Sequence, residues 1–172
     1  SIGYDSAPTI SHSTASDNNS GFYIHYGATP TITDSIATNN ITGVHVRGVV
    51  VPGAYADPNP IVKRSSLYGN TQYNVFTDYF LNPDAILNFE ENWWGSTDPG
   101  VIDSRISDDN DDPTKPYVDY WPFLGQDPDT LVTFNPQFNT QPEEVLAAGG
   151  VVNFDVQTAV PVNWTILIRD AT

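Results

Sequence analysis

Three groups of side chains in this chain of 172 residues have types and spacings that could do chemistry. The densest is acidic: Asp103, Asp108, Asp109, Asp111 and Asp112 crowd one short stretch. Hard cations such as calcium want several carboxylate oxygens, and carboxylates packed together repel unless a counter-ion joins them. The run is therefore a candidate calcium site. It lacks the glycine of an EF-hand's sharp turn and the glutamate that closes such a loop. The competing reading is a solvated turn whose aspartates cap a short helix near 101–107. The second group is Tyr23, His25, His45 and Arg47, whose rings and polar heads could stack on sugars and hydrogen-bond to them. Two histidines do not make a metal site by themselves. The third is the basic pair Lys63-Arg64, together with Arg47.

What positions these groups is a repeat. Residues 8–24 read PTISHSTASDNNSGFYI and residues 30–46 read PTITDSIATNNITGVHV. Pro8 matches Pro30, Ile10 matches Ile32, Asn18 matches Asn40, Gly21 matches Gly43 and Ile24 matches Val46. A looser copy starts at Pro60, with Val62, Asn70 and Phe76 at the same offsets and Tyr73 in place of the glycine. Each copy holds short β-like pieces between Asn, Ser and Gly, and none has the length or period of a helix. A unit this short cannot bury its own apolar face, but stacked units can, each pairing with the next at about 4.8 Å. Asn18, Asn40 and Asn70 are expected to form a ladder along the stacking axis. Period-two alternation is expected to put His25, Arg47 and Thr77 in one outward column and Tyr23, His45 and Val75 in another. Asp34 falls in a column with His12 and Arg64, which supplies no carboxylate pair for glycoside hydrolysis.

The repeats lead into NWWGSTDPGVID, the acidic run DDNDDP and the finish YVDYWPFL. This passage resembles the C-terminal end of the right-handed parallel β-helix repeat proteins, the pectate-lyase-like superfamily, in its group of secreted bacterial and archaeal surface proteins. The resemblance spans about residues 7–124 and implies an all-β right-handed parallel β-helix (solenoid), with 88–124 as its C-terminal plug. Trp93, Trp94, Trp121 and Phe123 are expected to fill that plug, with one of the adjacent tryptophans inward and the other outward. Enzymes of that superfamily eliminate across uronic acids with a base beside calcium carboxylates. No matching motif surrounds Arg47, Lys63 or Arg64, so these are expected to be salt-bridged surface.

After Leu124 the texture changes. Residues 125–148 read as a linker, and 149–172 as a β-hairpin appendage in which Val152, Phe154 and Val156 alternate, then Trp164, Ile166 and Ile168. Two strands cannot stand alone; they would pack on the stacked repeats, start a truncated sandwich, or pair with another copy of the protein. The start at Ser1 without Met reads as a processed or excised piece of something longer.

The net charge of −15, from 21 acids against 6 bases, repels nucleic acid and anionic membrane surfaces. It also repels polyanionic sugars unless a divalent cation bridges them. There is no cysteine, hence no disulfide framework or thiol nucleophile. No apolar run approaches the ~20 residues of a membrane span. The expectation is a secreted or cell-surface, non-catalytic structural or adhesive module, with a polysaccharide or cell-surface glycan as its partner. The competitors are the C-terminal part of a polysaccharide lyase or glycoside hydrolase, and a self-assembling surface filament or S-layer subunit joined through the C-terminal strands. Three sequons begin at Asn18, Asn40 and Asn163; the first two coincide with ladder asparagines, which could carry glycan only if they pointed outward.

Overall fold

The computed structural model describes residues 1–48, 53 and 55–128. The strands expected within 149–172, and most of the 125–148 linker, lie outside the described residues. What is described is predominantly β, in three parallel sheets. The first repeat supplies β1 (Thr9–Ser11), β2 (Thr14–Ser16) and β3 (Ser20–His25), and the second β4 (Thr31–Thr33), β5 (Ile36–Thr38) and β6 (Thr42–Arg47). The third supplies β7 (Ile61–Lys63), β8 (Ser66–Tyr68) and β9 (Tyr73–Asp78). Next along the chain come β10 (Ile86–Asn88), a short helix α1 (Pro99–Asp103), β11 (Ile106–Ser107) and β12 (Tyr117–Asp119). The sheets run β1-β4-β7-β10-β12, β2-β5-β8 and β11-β9-β6-β3.

Each strand pairs in parallel with its counterpart in the next repeat, so like residues lie over like. Ile10, Ile32 and Val62 form one column, and Ala15, Ala37 and Leu67 another. Ile32, Val62, Ala37, Val44, Val46 and Val75 are fully buried. Burying a side chain of Val or Ile size stabilises by about 1.5–3 kcal/mol. The arrangement is compatible with a coil in which each repeat makes one circuit.

The circuits bend at matched places. His12, Asp34, Arg64 and Glu91 all have φ between 47° and 57°, one above the other at the corner after the first strand. Tyr4, Tyr26 and Tyr79 take the same left-handed conformation after the third strand. Non-glycine residues rarely adopt it, and aspartate and asparagine tolerate it best. Its recurrence shows that the stacked backbone, and not each local sequence, decides the corner.

Two polar ladders run up the interior beside the corners. Asn40 Oδ1 accepts from the Asn18 backbone N–H at 3.0 Å, and Asn70 Oδ1 accepts from that of Asn40 at 3.1 Å. Asn40 Nδ2 donates to Ala15 O and Asn70 Nδ2 to Ala37 O. In the second ladder Ser35 Oγ accepts from Ser13 N, Ser65 Oγ from Ser35 N, and Asn92 Oδ1 from Ser65 N. The expected asparagine column is thus present, and Asn40 and Asn70 are each only 1 % exposed. Asn40 points inward and presents no face for a glycan.

The third repeat departs from the expected register. Asn40 and Asn70 are 30 apart, but Thr42 pairs with Tyr73, Val44 with Val75 and Val46 with Thr77, one residue further on. The extra residue sits in the corner at Thr71-Gln72. A slip of one residue exchanges the two faces of a strand. Val75 and Thr77 are therefore buried, not outward, and Phe76 stands outward under His45, not inward under Val46. Thr77 keeps its hydroxyl satisfied by donating to Ser107 O at 3.0 Å.

The plug also divides differently from expectation. Trp94 is buried and its neighbour Trp93 half-buried, as alternation requires. Trp121, expected inside, is 62 % exposed and meets Phe123 edge-on. Phe89 and Leu87 are buried in this part of the chain. Among the described residues, no helix is long and apolar enough to cross a membrane.

Candidate functional site

The outer face of the β3-β6-β9-β11 sheet gathers the second of the three groups. Strand pairing sets Tyr23 beside His45 and His25 beside Arg47, then His45 beside Phe76 and Arg47 beside Asp78. The rings make a continuous row. Tyr23 stacks on His25 at 4.8 Å and tilts against His45 at 5.0 Å. His45 meets the Phe76 ring edge-on at 5.1 Å, and Tyr73 lies 5.5 Å from Phe76. At one end Tyr26 and Tyr4 pack around His25, with Tyr55 against both tyrosines. At the other, the Lys115 ammonium sits 4.7 Å over Phe76.

Charged groups border this row. His45 Nε2 is 3.1 Å from Asp78 Oδ1, and the Arg47 guanidinium lies 4.5 Å over the Tyr79 ring. Lys115 donates to Ser107 Oγ at 2.6 Å. Phe76, Asp78, Tyr79 and Phe80 face Asp112, Thr114 and Lys115 across a cleft of about 480 Å³. His25 is 8 % exposed; its Nε2 shares a hydrogen bond with Ser1 Oγ at 2.8 Å, and its Nδ1 has no partner. Burial, aided by the positive charge of Arg47, holds the imidazole below its ordinary 6.5.

Sequence reasoning found four members of this face and missed Phe76, Asp78, Tyr79 and Lys115. The first three were hidden by the register shift at Thr71-Gln72. A visible signal was the tyrosine following each outward strand, as in Ile2-Gly3-Tyr4, Ile24-His25-Tyr26 and Thr77-Asp78-Tyr79. Lys115 arrives from a distant loop, and nothing local marks it.

The acidic run does not come together as a ligand set: among the described residues no three His, Asp or Glu side chains converge as a metal would require. Asp108 is 1 % exposed and accepts from the backbone N–H of Asn110 at 3.1 Å and of Val118 at 3.0 Å. Burial raises its pKa above the usual carboxylate value, against those two donors. Asp112 accepts from the Thr114 N–H and hydroxyl, which lower its pKa. Asp103 accepts from Asn110 Nδ2, while Asp109 and Asp111 are exposed. The helix is capped by Asp98, which accepts from Gly100 N and Val101 N.

The basic pair is surface, as expected. Lys63 bonds Glu90 at 2.9 Å, and Arg64 grips both oxygens of Asp34 at 2.9 Å each. Comparison with known protein families, curated proteins and solved structures returned no match for this chain.

Proposed function

We propose that this chain is an extracellular, non-catalytic module that grips a neutral polysaccharide along the outer face of the β3-β6-β9-β11 sheet. On the same reading its repeats form a right-handed parallel β-helix of the pectate-lyase-like kind. The observation that carries the ligand is the ring row from Tyr23 through His45 to Phe76, with rings 5.0 and 5.1 Å apart. The rings, inclined at 56° and 70° to one another, offer edges and partial faces to the C–H groups of pyranose rings, and Arg47, Asp78 and Lys115 beside them offer donors and acceptors to hydroxyls. Neutrality follows from charge: at −15 the protein repels polyuronates. Handedness follows from the strong preference of parallel crossovers for the right-handed path.

Retention of the purified protein on insoluble neutral and uronate polysaccharides tests this. The neutral polymers should hold it with little loss as salt is raised, because stacking is not screened as exposed ion pairs are. Changing both His45 and Phe76 to Ala should weaken retention about tenfold or more while the chain still melts cooperatively. Equal retention of this variant, or release of oligosaccharides by the native protein with or without calcium, would sink the proposal.

A further inference from the structure

The stack is built differently at its first repeat from its interior. β1 and β2 each have a neighbour on one side alone, among the described residues. Ile10 and Ala15 are half-buried, whereas Ile32 and Ala37, directly beneath them, are fully buried. Both polar ladders also stop short here. Asn40 and Asn70 each reach back to a carbonyl of the preceding repeat and accept a backbone N–H from it. Asn18 donates to Ser16 O and to Asn40 Oδ1, but its own Oδ1 accepts nothing among the described residues. Ser13 Oγ, in the place where Ser35 and Ser65 accept a backbone N–H, donates to Ser11 O and accepts nothing among the described residues.

The third strand of this end is already covered, and in register. Ile2 bridges Ile24 in parallel, with Ile2 N donating to Tyr23 O at 2.7 Å and His25 N donating to Ile2 O at 2.9 Å. That is the same separation of 22 that joins Asn18 to Asn40. Tyr4 also repeats the left-handed φ of Tyr26. Residues 2–4 thus behave as the last strand and corner of a circuit lying above β3.

We propose that this end is the seat of one more repeat of the same pattern, joined in line ahead of Ile2 and paired in parallel with β1 and β2. Its apolar residues would cover Ile10 and Ala15, and its backbone would engage Ser13 Oγ and Asn18 Oδ1. A separate chain fits less well: it would need all three strand places, and Ile2-Gly3-Tyr4 already fill the third.

The test is an extension. A copy of residues 8–22 is fused directly ahead of Ser1, which sets the copied Ile10 over Ile10 and leaves Ser1 in the place of Tyr23. A control extension carries aspartate at the copied Ile10 and Ala15 positions. In the interior, Thr31 N donates to Pro8 O, Ile36 N to Ser13 O and Ile41 N to Asn18 O. By the same register the amides of Thr9, Thr14 and Asn19 should exchange on the order of tenfold more slowly with the matched extension than with the control. Asn18→Ala with Ser13→Ala should erase most of that gain, yet barely change the melting temperature of the unextended chain. Equal exchange with both extensions would overturn the proposal, and so would a gain that survives the double substitution. A concentration-dependent dimer of the unextended chain that protects the same amides would also overturn it, by making a second copy the occupant.

Discussion

Two buried ionisable groups show how individual side chains set the acid response. His25 lies below its ordinary 6.5 because burial disfavours the imidazolium. As pH falls through 6.5, the unfolded chain takes up a proton that the folded chain refuses, so stability is lost on the acid side. The urea midpoint should therefore drop as pH is lowered through that region, and His25→Phe, which keeps a ring against Tyr23, should flatten the drop. Asp108 has the opposite sign: its raised pKa means that ionisation opposes folding, and this penalty is relieved as pH falls. Its carboxylate still ties Asn110 N and Val118 N together, so Asp108→Ala should cost about 1–3 kcal/mol in denaturant titration by leaving two backbone donors unpaired. The sequence showed that the aspartates between 103 and 112 were special, but not that one of them is an internal strut. That role depends on Val118 returning beside Asp108, which no spacing rule reveals.

The strands illustrate why period was legible and register was not. Proline, isoleucine and asparagine recur at fixed offsets because they sit at stacked corners and interior columns, so Ile10 over Ile32 could be read directly. The residue inserted at Thr71-Gln72 left Asn70 in its ladder and shifted only β9 beyond it. Polar corner residues carry no alternation by which to notice it, and Phe76, though large and apolar, faces outward. Deleting Gln72 should give this corner the length it has in the second repeat, with Asn70-Thr71-Tyr73 matching Asn40-Ile41-Thr42, and should keep Val75 beside Val44 and Phe76 outward. The expected result is cooperative thermal unfolding with a modest shift of the midpoint; loss of cooperativity would show that the extra residue is needed to hold β9 in register. Tight approaches restrict the same corner: a Cβ on Gly43 would lie 2.7 Å from both Asn70 Nδ2 and Asn74 O. Asn74, not Tyr73, is the third-repeat counterpart of that glycine, and its side chain accepts from Asn70 Nδ2 at 3.0 Å.

At the scale of the whole molecule, stability is distributed along the stack. Asn70 is buried and serves Asn40 N, Ala37 O and Asn74, whereas Asn18 is exposed. Asn70→Ala should cost about 2–4 kcal/mol and Asn18→Ala well under 1 kcal/mol, a gradient that parallel chemical denaturation of the two variants would read out. The ladders also have a direction, since every rung completes the one before it. For a polypeptide emerging amino end first, this makes assembly a ratchet. A nascent chain halted at Gly69 would leave the Asn40 amide open, and adding the next residue would supply the oxygen that closes it. Each circuit is thus locked only by the one made after it, so the growing end is always the loose one.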